Sequence, residues 1–259
     1  MTESVLGKLA SQLAGDGQVL CAWITVNEPA VAESLAREAF DAVVLDMQHG
    51  AIDFAGAQRA ILSVALVGKP TIARAPIGEF ALASRLLDAG AAGILAPMIN
   101  SGDDARHLVE FVKFPPLGQR SWGPRTALSL SGLEPSAYLK AANAMTQAIA
   151  MIETRAALDA LDDILRVEGL DGVFVGPSDL SIALSDGRGV EPRGEAVLSE
   201  ARRIAERAKA HGKYAAMFCF DGADVRKMQA LGYRLCTISS DQTLLRAAAR
   251  SELAAARSG

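Results

Sequence analysis

The sequence predicts one α/β domain spanning residues 1–259, a (β/α)8 barrel of TIM type. Three observations lead there. The chain has 259 residues, and a barrel of this kind typically takes about 250. Eight short apolar runs alternate with longer segments of helical period, the pattern of parallel strands joined by crossover helices. Glycines also recur where a helix hands over to the next strand, a position that favours a left-handed cap.

The strand-like series opens with QVLCAWIT (18–25), followed by a helix near 28–38. It continues through DAVVLDM (41–47), PTIAR (70–74), AGILAPM (92–98), QAIAMIE (147–153), DGVFVG (171–176), KYAAMFC (213–219) and RLCTIS (234–239). Gly90, Gly169, Gly212 and Gly232 punctuate four of the helix-to-strand connections. Eight alternations suit a closed parallel barrel better than an open sheet. One connection is unusual. Between the fourth and fifth runs lie roughly fifty residues, including FPPLGQRSWGPRTALSLSG (114–132), which holds too many turn residues for one helix. A lid over the barrel mouth, a passive connector and an oligomer contact are all open readings of that segment.

Composition narrows the function classes. Half the residues are hydrophobic but only 5% are aromatic, which suits close helix-on-strand packing. The net charge is −4 with lysine and arginine scattered, so no basic stripe offers itself to nucleic acid. No apolar run approaches the roughly 20 residues that span a bilayer, and the start of the chain lacks a signal peptide's apolar stretch. A cytoplasmic protein without a membrane partner is expected. Cys21, Cys219 and Cys236 are odd in number, far apart and set in apolar runs, which reads as buried thiols rather than disulfides or a thiolate metal site.

In a parallel barrel, chemistry belongs to the C-terminal strand ends. Four such ends carry reactive side chains here: Asp46 and His49 after the second strand, Arg74 after the third, Glu153 after the fifth, and the turn Gly176, Pro177, Ser178, Asp179 after the sixth. Two carboxylates without cysteine or histidine spacing call for a hard divalent ion such as Mg2+ or Mn2+; alternatively, both acids merely favour helix N-termini. The helix starting at Gly176 directs backbone N–H groups outward, fit for a substrate carboxylate, unless Gly-Pro simply makes the turn. His49, with Asp46 three residues earlier to orient it, is the candidate general base. Arg74 either stabilises an enolate oxygen or forms an internal salt bridge to Asp46 or Glu153. No lysine falls at a strand's C-terminal end, so Schiff-base chemistry is not expected.

Seven segments in order, VVLDMQHG (43–50), IARAP (72–76), LLDAGAAGILAPM (86–98), FPPLGQRSWGP (114–124), MIETR (151–155), DGVFVGPSDLS (171–181) and SSDQTLL (239–245), resemble the class II pyruvate aldolases typified by 4-hydroxy-2-oxoheptanedioate aldolase. The resemblance covers nearly the whole chain and places it in the phosphoenolpyruvate/pyruvate barrel superfamily. It implies that Glu153 and Asp179 bind the metal (Mg2+ or Mn2+, with Co2+ as a third candidate), that Arg74 contacts the 2-oxo oxygen, and that His49 acts as base beside Asp46. It further implies that the amides of Ser178 and Asp179 receive the carboxylate of the 2-oxoacid, with an aldehyde as second substrate. By the same resemblance, Asp88 reaches toward His49 of a neighbouring subunit in a homohexamer built as a trimer of dimers, with the last helix, about 241–256, exchanged between subunits.

Two positions depart from the family pattern. Gln48 stands where Glu commonly precedes the histidine, and Met151 where several members have Gln. Both bear on substrate choice, and hydroxypyruvate joins pyruvate as a candidate nucleophile. A decarboxylase or acyl-coenzyme A lyase built on the same enolate site is the nearest rival. A barrel that binds 2-oxoacids without turning them over is the more distant one.

Overall fold

The computed structural model describes residues 4–15 and 17–258. Its strands are β1 (Val19–Ile24), β2 (Ala42–Asp46), β3 (Thr71–Arg74), β4 (Gly93–Ala96), β5 (Gln147–Ile152), β6 (Gly172–Val175), β7 (Tyr214–Cys219) and β8 (Leu235–Ile238). Each runs parallel to the next, and β8 pairs back onto β1 through Val19 and Leu235, closing the barrel. Every predicted run contains one of these strands. The four helix-to-strand glycines have φ between 69° and 104°, the left-handed region that a residue with a Cβ resists.

The helices are α1 (Val5–Ala14), α2 (Pro29–Ala36), α3 (Phe54–Leu66), α4 (Phe80–Asp88), α5 (Gly102–Val112), α6 (Arg125–Ser131), α7 (Pro135–Met145), α8 (Arg155–Asp159), α9 (Leu161–Leu165), α10 (Pro177–Leu184), α11 (Glu195–Ala210), α12 (Gly222–Ala230) and α13 (Asp241–Arg257). Strand side chains alternate between two apolar layers. Ala22 and Ile24 of β1 face the helices, whereas Cys21 and Trp23 fill the barrel interior. The inner layer is completed from below by α1, whose Leu9 and Leu13 join it. The three cysteines are buried and unbridged.

Register decides which residues meet at the mouth. Asp46 and Arg74 are paired across β2 and β3 at their C-terminal ends. Ile152 pairs with Val175, so Glu153 and Gly176 emerge side by side.

The long connection is not a lid. Its helices α6 and α7 pack on α1, and Phe114, Ala127, Tyr138 and Ala142 form a small core with Leu6. Because α1 closes the N-terminal end of the barrel, residues 114–132 lie at the end opposite the mouth. Apolar contacts with α1 decide that position, and nothing local in the segment encodes it.

Helix α13 contrasts with the rest. Asp241 is its one buried residue among those described, and Leu245 and Leu253 are 72% and 53% exposed. The Asp241 carboxylate anchors the helix start by accepting from the amides of Thr25 and Val26, both at 3.0 Å, and from the Thr25 hydroxyl at 2.7 Å. Among the described residues, no helix is long and apolar enough to cross a membrane.

Leu9 is fully buried where α1 meets the barrel interior. Leu9→Ala is expected to cost about 2–5 kcal/mol through the cavity it leaves. Urea unfolding measures this, and a loss below about 1 kcal/mol would show that the helix does not plug the barrel.

Candidate active site

A cavity of about 220 Å³ opens at the C-terminal ends of the strands. Its polar wall is made by His49, Arg74 and the turn from Gly176 to Asp179. Its apolar wall is made by Trp23, Met151, Phe174 and Phe218. These polar residues are ones the sequence sets at strand ends, and the barrel brings them to one cavity. Three of the four apolar residues carry no chemical signature, and only their inward position on β1, β6 and β7 brings them here. No lysine lines the cavity.

Asp46 is the most heavily engaged side chain of the site. One carboxylate oxygen accepts from Arg74 Nε at 2.9 Å and from the amides of Gln48 and His49 at 3.0 and 3.1 Å. The other accepts from Arg74 Nη2 at 2.6 Å and from the indole Nε1 of Trp23 at 3.2 Å. Of the two salt-bridge partners open to Arg74, Asp46 is the one engaged. Burial pushes the Asp46 carboxyl up, but the guanidinium and the two amides outweigh it and hold the group below the ordinary carboxylate value. Asp46 reaches His49 through the backbone amide, not the imidazole, because its lone pairs are already taken. The imidazole of His49 stands exposed at the rim.

Glu153 is 2% exposed and lies beneath the turn that follows β6. Its Oε1 accepts the Met98 amide at 2.8 Å. Met98 reaches that geometry in the left-handed region, at φ 55°, a conformation costing a side-chain-bearing residue on the order of 1 kcal/mol. Its Oε2 lies under Gly176, where an added Cβ would come within 2.4 Å of it. Space rather than backbone conformation favours glycine here, since a φ of −89° suits any residue and a Cβ would displace the Glu153 carboxylate. Burial pushes the Glu153 carboxyl up to about 7, and the nearby negative charge of Asp179 adds to the shift. Asp179 sits in the first turn of α10, whose N-terminus has no side-chain cap.

These residues suit a hard divalent cation. Two carboxylates converge from adjacent strand ends, one of them buried and raised by its neighbour's charge. Among the described residues no group of three or more His, Cys, Asp or Glu is placed to hold a metal ion; a cation held by this pair would take two oxygen ligands from the chain and the rest from substrate and water.

Asp88 lies elsewhere. At the C-terminal end of α4, near the N-terminal end of the barrel, it accepts from Arg120 Nη2 at 2.7 Å. Within one chain it does not approach His49.

Residues 19–248 match the family model described as HpcH/HpaI aldolase/citrate lyase. The chain belongs to that family. It is 40% identical over 238 residues to a hydroxypyruvate/pyruvate aldolase of Rhizorhabdus wittichii, covering 92% of this chain and 94% of the relative. A 2-keto-3-deoxy-L-rhamnonate aldolase of Salmonella paratyphi B is 32% identical over 246 residues, covering 93% and 89%. Among solved structures, an HpcH/HpaI family protein from Burkholderia cenocepacia superposes with a TM-score of 0.88 at 31% identity, covering 97% of this chain and all of the other. As a member of this aldolase family, the chain is a carbon–carbon lyase.

Asp46→Ala strips a buried guanidinium of its partner, which is expected to cost about 3–5 kcal/mol. The folded Asp46 carboxyl is held below its unfolded value, so its stabilisation is present above the ordinary carboxylate range and is lost as pH falls through the folded value. Thermal melts should therefore show a large wild-type advantage at pH 7 that shrinks in acid. An equal advantage at every pH would count against the pairing.

Proposed function

We propose that this aldolase is a divalent-metal-dependent enzyme that adds pyruvate or hydroxypyruvate to an aldehyde and cleaves the resulting 4-hydroxy-2-oxoacid in reverse. The observation that carries the reading is the convergence of Glu153 and Asp179 at a mouth that also holds Arg74 and His49 and lacks lysine. The relatives named as hydroxypyruvate/pyruvate aldolases support the nucleophile class.

In this reading Glu153 and Asp179 hold Mg2+ or Mn2+, with Co2+ as a third candidate. The bound ion supplies Lewis-acid polarisation of the 2-oxo group. The chain's own residues do the rest. Arg74 spends Nε and one amino group on Asp46 and turns its remaining N–H donors toward the 2-oxo oxygen, where negative charge develops. The amides of Ser178 and Asp179, at the uncapped start of α10, receive the substrate carboxylate, with Gly176 and Pro177 shaping the turn. The Trp23, Met151, Phe174 and Phe218 wall limits water around the reacting carbon. His49 takes the proton from the nucleophile's C3 in the addition direction and from the 4-hydroxyl in the cleavage direction.

Asp46 is consumed by Arg74, so the acid that orients the His49 imidazole comes from elsewhere. Asp88 of a neighbouring copy fills that role in a homohexamer whose subunits exchange α13. The near-complete exposure of α13 supports the exchange. A single barrel domain and a cytoplasmic setting belong to the same reading, the latter supported by the three free thiols.

Purified protein with Mg2+ or Mn2+ is expected to exchange the methyl protons of pyruvate for deuterium, followed by proton NMR, and Glu153→Gln is expected to abolish the exchange. Wild-type protein that exchanges nothing, or a variant that exchanges normally, would falsify the reading.

The metal should also register in stability. With the folded Glu153 value raised from 4.5 to about 7, the stability contributed by its neutral form is complete below about 4.5 and is lost as pH rises through about 7. A cation restores what the ionised form loses. Mg2+ or Mn2+ should therefore raise Tm more at pH 8 than at pH 5.5. Equal shifts at the two pH values would separate Glu153 from the ion.

A further inference from the structure

We propose that Trp23 is a positioning residue for Arg74, gripping both members of the Arg74–Asp46 pair so that the guanidinium keeps one donor face toward the cavity. The inference rests on the reading that Arg74 polarises the 2-oxo group, and it assigns part of that function to a residue on a different strand.

The indole touches the pair in two ways. Its edge donates Nε1–H to Asp46 Oδ2 at 3.2 Å, the same oxygen that accepts Arg74 Nη2 at 2.6 Å. Its face lies under the guanidinium, with Arg74 Cζ 4.8 Å from the ring centroid. The ring is itself confined. Phe218 meets it edge-on at 5.3 Å, Phe174 lies 5.9 Å away, and Trp23 is 4% exposed. Aromatic side chains of β6 and β7 thus hold Trp23, which in turn holds a pair formed between β2 and β3. The chain of contacts crosses the barrel interior at the level of the cavity floor.

A buried ion pair alone leaves two freedoms. The carboxylate and guanidinium can tilt together about the Asp46 side chain, and the guanidinium can roll toward the open cavity, where substrate and water compete for its donors. The indole N–H opposes the first motion and the ring face opposes the second. A residue that only filled the core would need neither an N–H aimed at a carboxylate nor a face stacked on a cation. Because Arg74 acts on charge that develops in the transition state, loosening it lowers kcat more than it weakens substrate binding.

Three replacements of Trp23 separate positioning from filling. Trp23→Phe keeps an aromatic face and removes the donor. Trp23→His keeps a donor, because the imidazole overlays the five-membered half of the indole and places Nε2–H where Nε1–H was. 3-Benzothienylalanine at position 23, an indole isostere lacking only the N–H, preserves volume if the phenylalanine variant proves unstable. With Mn2+-loaded protein and pyruvate, the phenylalanine and benzothienyl variants are expected to lose about 10- to 100-fold in the maximal rate of methyl-proton exchange. KM for pyruvate should stay within about threefold of wild type, whereas the Kd for oxalate, a planar mimic of the enolate, should weaken along with the rate. The histidine variant should recover at least about fivefold over phenylalanine at pH 8.

Wild-type rates in the benzothienyl variant, or equal losses in the phenylalanine and histidine variants, overturn the inference while leaving the aldolase reading intact. Absence of exchange in wild-type protein overturns the reading and the inference with it.

Discussion

The mouth of this barrel is organised around one carboxylate. Asp46 accepts two bonds from Arg74, one from Trp23 and two from the backbone of the turn that carries His49. A buried anion is costly unless its lone pairs are filled, and here five donors from three strand ends fill them. Satisfying that anion brings an arginine, an indole and a histidine-bearing turn into fixed relation before any substrate arrives. The adjacent registers of β2 and β3 make the arrangement possible by ending both strands at the same level.

Glu153 presents the complementary case. It is buried with one strong donor, the Met98 amide, and its other oxygen lies against a glycine that leaves no space to spare. The neighbouring charge of Asp179 raises it further. One carboxylate has its lone pairs filled by five donors, while the other accepts one backbone amide beside a second acid, surroundings that would suit a cation. Two acids at the same barrel end acquire different roles through their surroundings rather than through their chemistry.

Most of the fold was legible in the sequence because a parallel barrel repeats its signal. Runs such as DAVVLDM and DGVFVG are apolar throughout, as strands covered on both faces must be, and glycines mark four of the turns between them. The polar residues of the mouth were legible for the same reason: once a run is a strand, its last residue is at the rim. The long connection was harder. Its proline-rich segment reads as irregular wherever it lies, and contacts of Phe114, Tyr138 and Ala142 with Leu6, more than a hundred residues away, set it against α1 instead of over the mouth. Met98 had no signal, since its contribution is an amide in a left-handed turn.

The sequence by itself determined the eightfold alternation, the four reactive strand ends, the absence of a lysine among them and the hard-oxygen character of the acid pair, because each follows from residue type and position along a strand. Only the tertiary structure decided whom those residues touch. Arg74 had two partners open to it, and Asp46 won because β2 and β3 are neighbours in register. Trp23, silent in the linear chain, became part of the site because the barrel curves its strand back beside Asp46. Hydrogen bonds between strand ends depend on register and closure, and those are properties of the folded barrel rather than of any one segment.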